Sequence, residues 1–200
     1  MKKLPFSQLA LAIMSMCLLC FLSACTQQAD ANNNNNVPSA TLPKATATTG
    51  APKLQTYTAQ YFTVGYPQSW QAQRGQGDTV IISYPAYKAN FVVSDLATDS
   101  PDAMNTIQQH LDILLIRQHS DYNDFKTYPE RHATIGGQAW TFVSWSGTNK
   151  NSGNKFKGTI GAATYKGKRY IMDYSSLFND FDNVYNGGFK LMEDSFKFKN

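Results

Sequence analysis

All three cysteines of this 200-residue chain, Cys17, Cys20 and Cys25, lie within its first twenty-five residues. Whatever folds beyond them must do so without a disulfide, a thiolate-held metal or a cysteine nucleophile. Such a domain depends on its apolar core, so the sequence has to supply one. It does: 42% of the chain is hydrophobic and 13% is aromatic. The stretch after residue 54, roughly 146 residues, is long enough to bury about 68–70% of its unfolded surface.

The amino terminus explains where the cysteines go. Met1-Lys2-Lys3 precedes a run from Leu9 to Leu22 that is apolar except at Ser15, the pattern of a secretion signal. The run is about fourteen residues and a membrane-crossing helix needs roughly twenty, so cleavage is the better reading. Leu22-Ser23-Ala24-Cys25 resembles the bacterial lipobox, in which small residues admit the signal peptidase and the cysteine carries diacylglycerol. Two acyl chains anchor stably, at roughly 0.8 kcal/mol per buried methylene. The alternative is an ordinary signal cleaved after Ala24, which would leave a thiol with no partner in the mature chain. Loss of Lys2 and Lys3 leaves 16 basic against 14 acidic residues. That bias is too weak to mark nucleic acid as a partner.

Domain boundaries follow: a signal over 1–24, a lipidated cysteine with a disordered linker over 25–55, and a folded domain over 56–200. The linker carries Asn32 through Asn36 in a row, then Ala, Thr and Pro in alternation, and no aromatic residue. It cannot bury enough surface to offset its ordering entropy. As a coil it spans roughly 30 Å, enough to hold a domain clear of lipid headgroups.

Within the domain, Phe62, Val64 and Tyr66 alternate with Thr63 and Gly65 and stop at Pro67, predicting an opening strand. Thr79–Tyr84 and Asn90–Leu96 read as two further strands joined by Pro85–Lys88. Ser100 and Pro101 then offer a helix start, with Met104, Ile107, Leu111, Leu114 and Leu115 on one stripe of a helix ending near Gln118. Ile113 and Ile116 lie off that stripe. After the Gly136-Gly137 turn, strands are expected over Gln138–Ser146, Phe156–Tyr165 and Arg169–Leu177. A polar loop over Gly147–Asn154 separates the first two, and a Lys166-Gly167 hairpin turn joins the last two. Phe178, Phe181, Tyr185, Phe189 and Met192 form the stripe of a closing helix that Gly187-Gly188 weakens. The resulting fold class is α+β, a mostly antiparallel sheet covered by helices.

Several segments carry a family resemblance. These are Phe62-Thr63-Val64-Gly65-Tyr66-Pro67-Gln68-Ser69-Trp70, Ile135-Gly136-Gly137-Gln138-Ala139, Gly167-Lys168-Arg169-Tyr170-Ile171-Met172-Asp173-Tyr174 and Ser195-Phe196-Lys197-Phe198. Over residues 57 to 200 the chain resembles the PsbP-like family, which includes DcrB-type bacterial lipoproteins. The resemblance implies an α/β/α sandwich and a non-catalytic binding or assembly module, because the better-known relatives are accessory proteins of larger complexes. The linker does not match the amino-terminal arm of the photosynthetic members, so no photosystem role is implied.

Motifs for chemistry are sparse. The chain has no Gly-x-Ser-x-Gly, no His-Glu-x-x-His and no phosphate-cradling glycine loop. His110 and His119 are nine residues apart, on opposite faces of a helix, and all three histidines are expected to be solvated. Asp180 with Asp182, and Glu193 with Asp194, are expected on the outer face of the closing helix. We expect no catalytic residue, cofactor or metal. A cell-envelope hydrolase whose site is assembled only in space, or a passive spacer, remains the alternative.

The charge map is uneven. Lys150, Lys155, Lys157, Lys166, Lys168 and Arg169 lie between Gly147 and Met172 with no acid among them. By period two, Lys155 and Lys157 share one face of a strand, opposite Phe156, Gly158 and Ile160, and point to solvent. With Lys166, Lys168 and Arg169 they make a candidate basic patch along the sheet, suited to an acidic envelope protein or an anionic polymer. The remaining expectations are a monomeric domain, no nucleic acid, and a lipid-held position on the extracytoplasmic face of a cell membrane.

Overall fold

The computed structural model describes residues 53–96 and 106–200. The signal segment, Cys25, most of the linker, and Ser100, Pro101 and Met104 lie outside the described residues. The first strand starts earlier than the sequence suggests. Leu54 and Gln55, read as linker, belong to β1 (Leu54–Thr58), which pairs antiparallel with β2 (Phe62–Pro67). A short β3 (Gln71–Arg74) follows, then β4 (Val80–Tyr84) and β5 (Ala89–Asp95), paired as expected.

Helix α1 (Ile107–Asp121) opens at Thr106, whose side chain and that of Gln109 form a capping box. Strands β6 (Tyr122–Thr127) and β7 (Arg131–Ile135) come next. The long strands β8 (Gln138–Asn149), β9 (Lys155–Tyr165) and β10 (Lys168–Leu177) then build the centre of the sheet. β8 continues through Gly147 to Asn149, into what the sequence reading takes as loop, because β6 pairs with that half of it. At the hairpin turn Lys166 and Gly167 both have positive φ, 48° and 75°, the turn geometry that matches strand twist.

The carboxy-terminal helix has three parts: α2 (Phe181–Val184), a π turn (Tyr185–Phe189) and α3 (Lys190–Ser195). The π turn contains Gly187-Gly188. A Cβ on Gly188 would lie 2.5 Å from the Trp70 ring, so this glycine lets the helix backbone sit directly on the indole. Strand β11 (Lys197–Phe198) then returns to β2.

The result is an eight-stranded antiparallel sheet, order β3-β4-β5-β10-β9-β8-β6 with β7 also on β8, and a three-stranded sheet β1-β2-β11. One face of the large sheet, carrying Phe91, Trp140, Phe142, Met172 and Tyr174, packs on the carboxy-terminal helix and on Phe62 and Val64 of the small sheet. The other face, with Val143, Trp145, Ile160 and Ile171, packs on Leu111 of α1. Helices therefore cover both faces, as α/β/α layering requires. Ile116 stays 70% exposed, outside the stripe as expected.

His110 is a correction: it is 3% exposed rather than solvated. It lies three residues after Ile107 and four before Leu114, on the apolar stripe itself.

Candidate functional site

The antiparallel register divides the domain into two ends. Lys53 leads into β1 beside Pro67, and Trp70 donates its backbone N–H to the Pro67 carbonyl. The same end holds Ser83, Tyr84, Asn90, Ser175 and Lys155 through successive ladders. The far end gathers the Ala59–Tyr61 turn, the Gly75–Thr79 turn, Asp95, the Lys166–Lys168 hairpin and the carboxy terminus.

This geometry splits the candidate basic patch. Lys155 and Lys157 stand at the near end of β9 and Lys166 at its far end, about 30 Å away at roughly 3.3 Å per residue. Thr159, Gly161 and Ala163, the residues between them on the same face, are buried. Lys155 is exposed, as expected, whereas Lys157 is half-buried. Lys155 lies over the Phe178 ring at 4.2 Å, and Lys157 lies over Phe181 and pairs with Asp182 at 2.9 Å. A period-two argument assumes one wet face, and from Gly158 to Ala163 β9 is a central strand buried on both. Lys168 approaches Asp95 at 3.7 Å, Lys166 lies over Tyr165, and Arg169 turns to the opposite face from Lys168, half-buried. Desolvation lowers the Arg169 pKa.

At the far end the two turns enclose a cleft of about 390 Å³ lined by Tyr57, Thr58, Ala59, Gln60, Arg74, Gly77, Asp78 and Thr79. Its size falls within the range of about 300–1,000 Å³ common for small-molecule sites. Asp78, 6% exposed, builds it. Its carboxylate accepts the backbone N–H groups of Gln60 at 2.6 Å and Tyr61 at 3.1 Å, while its own N–H donates to Asp95 Oδ1 at 3.1 Å. Lys168 sits over the Tyr61 ring at 4.4 Å, and the Lys199 ammonium donates to the Ala59 carbonyl at 3.0 Å. Burial, and then the nearby Asp78 and Asp95 carboxylates, push the Tyr170 phenol well above its usual range. Tyr170 is therefore neutral at physiological pH. Arg74 is exposed at the cleft wall and has no ion-pair partner among the described residues.

None of these cleft residues stands out in the sequence. Arg74-Gly75-Gln76-Gly77-Asp78 is a legible turn, but Asp78 reaches Gln60 eighteen positions away, and Lys199 reaches Ala59 across 140. No short-range signal encodes either contact.

Two carboxyls elsewhere are set apart by their surroundings. Glu193, read as solvated, is 5% exposed. It accepts from Arg131 at 2.7 Å, Tyr174 at 2.6 Å and Tyr185 at 3.2 Å, locking the carboxy-terminal helix to β7 and β10. Desolvation, followed by the Glu193 charge, raises both the Tyr174 and Tyr185 phenols. Asp194, in contrast, is exposed and pairs with Lys190. Asp173 lies in the ladder between Val92 and Ile160, and desolvation pushes its carboxyl up to about 7. Among the described residues no three His, Cys, Asp or Glu side chains cluster as metal ligands. No described helix is long and apolar enough to cross a membrane.

No family model matches the sequence, and no curated protein matches it at the level of sequence. Solved structures do. Cyanobacterial PsbP from Synechocystis sp. PCC 6803 is 16% identical, with 76% of this chain and 96% of that chain covered at a TM-score of 0.50. LpqN of Mycobacterium tuberculosis is 10% identical, with 74% and 91% covered at a TM-score of 0.50. At such identities the likeness concerns the fold. Its large antiparallel sheet, helices on both faces and added small sheet give this chain a PsbP-like fold.

Proposed function

We propose that the chain is a lipid-anchored extracytoplasmic protein whose PsbP-like domain is a non-catalytic binding or assembly module, held at one end and offering the other to a partner. The observation that carries this reading is the placement of Lys53 and the cleft at opposite ends of the strands. A chain tethered through Cys25 enters the fold beside Pro67 and leaves the cleft free to face outward. The Leu22-Ser23-Ala24-Cys25 tetrad supports the anchor. LpqN, which shares the fold, is involved in cell envelope biogenesis, in keeping with an envelope location.

Fractionation tests the anchor. Wild-type protein should require detergent for extraction, and Cys25→Ser should accumulate unprocessed or appear in the aqueous fraction. Wild-type protein already soluble without detergent would contradict the lipoprotein reading, and turnover of a substrate by the purified chain would contradict the non-catalytic one.

A further inference from the structure

The far-end cleft has an unbalanced charge. The carboxylate of its lining, Asp78, is occupied by two backbone donors, and neighbouring Asp95 by the Asp78 N–H and by Lys168. The cations are less so. Arg74 stands at the wall without an ion-pair partner among the described residues, and beside the cleft, outside its lining, the Lys199 ammonium rests on the neutral Ala59 carbonyl. An arginine fork matches a carboxylate in a planar, two-bonded geometry that a lysine cannot reproduce. The rest of the lining is rich in hydrogen-bonding groups: the Thr58 and Thr79 hydroxyls, the Gln60 amide and the half-buried Tyr57. Hydroxyls and an amide around one aromatic ring suit a polyol. An acidic peptide would be better served by apolar side-chain pockets, and here Ala59 is the sole aliphatic side chain of the lining.

We propose that this cleft binds a carboxylate-bearing saccharide, with Arg74 meeting the acid group, Tyr57, Gln60 and Thr79 meeting the ring and its hydroxyls, and Lys199 adding positive charge from beside the cleft. The inference rests on reading the domain as a binding module and names the ligand class of its far end. Lys166, exposed on the adjoining hairpin, extends the cationic rim along which a longer anionic polymer would run.

Calorimetric titration of the detergent-solubilised full chain with trigalacturonate, galactotriose and hexaglutamate tests it. Trigalacturonate should bind, more weakly as salt shortens the Debye length. Arg74→Gln should weaken binding about tenfold or more, and Lys199→Gln should weaken it less. Lys155→Gln, at the near end, should leave it unchanged. Arg74 is exposed and makes no ion pair among the described residues, so its variant should melt as wild type does, which separates lost binding from lost fold. Absence of trigalacturonate binding, equal binding of galactotriose, indifference to Arg74→Gln, or tighter binding of hexaglutamate would each overturn the proposal. If saccharide binding fails while partners still crosslink at the far end in cells, the module reading stands and only the ligand class falls.

Discussion

Asp173 occupies a position where charge is unfavourable. Ile81, Val92, Asp173, Ile160 and Val143 form one row across five strands, with the carboxyl in its middle. Its folded pKa of about 7 lies above the ordinary carboxylate value, so the native state holds the proton more tightly than the unfolded chain does. Stability should therefore fall as pH rises from about 4 through 7, because the unfolded chain ionises first. Asp173→Asn removes that dependence. Thermal melts should show variant and wild type close together at pH 4 and the variant gaining steadily to pH 8, whereas a constant gap would contradict the assignment. Glu193 is the opposite case, a buried carboxylate with three donors. Tyr174→Phe removes one of them and should cost about 1–3 kcal/mol in denaturant unfolding. The sequence exposes neither behaviour, since Asp173 reads as one polar residue in a strand and Glu193 as one acid on a helix. What distinguishes them is which neighbours the sheet brings alongside.

Among the elements, the π turn of the carboxy-terminal helix is the most constrained. Gly188→Ala would drive a methyl into the Trp70 ring, at an expected cost of about 1–3 kcal/mol by overpacking, although alanine is the better helix former. A methyl on Gly187 would have nothing within 4 Å of it, so Gly187→Ala should be neutral or stabilising. Opposite signs for the two neighbours in urea unfolding would confirm that the glycine pair serves contact with the sheet; equal effects would contradict it. The strands with strong alternation, β2, β4, β5, β9 and β10, are legible in sequence because one or both faces are buried by apolar residues. β1 and β3 are not, because they are edge strands whose pairing with β2 and β4 holds mostly exposed side chains such as Gln55, Thr56, Gln71 and Gln73.

As a whole, the molecule is held by two apolar layers, one on each face of a single sheet, and its described residues contain no cysteine. Residues 53–200 alone should unfold in one cooperative transition whose midpoint ignores reductant and chelator. A drop in midpoint with chelator would reveal a bound metal. Trp140→Ala should lower stability by about 3–5 kcal/mol, since Trp140 is 1% exposed and donates to the Ile135 carbonyl. The sequence conveys the fold class and the core anchors because both follow from periodicity and large apolar side chains. It places Lys155 and Lys157 at one end of a strand and Lys166 at the other, but not the burial of Gly158 to Ala163 between them, which interrupts the surface and depends on what packs over β9. Site-specific photocrosslinking in the native cell is the most direct test of the tethered-module account. One photoreactive residue replaces exposed Gln76 at the far end and another replaces exposed Gln68 at the near end. The account predicts a discrete partner adduct from position 76 and none from position 68; adducts confined to position 68, or absent from both, would contradict it.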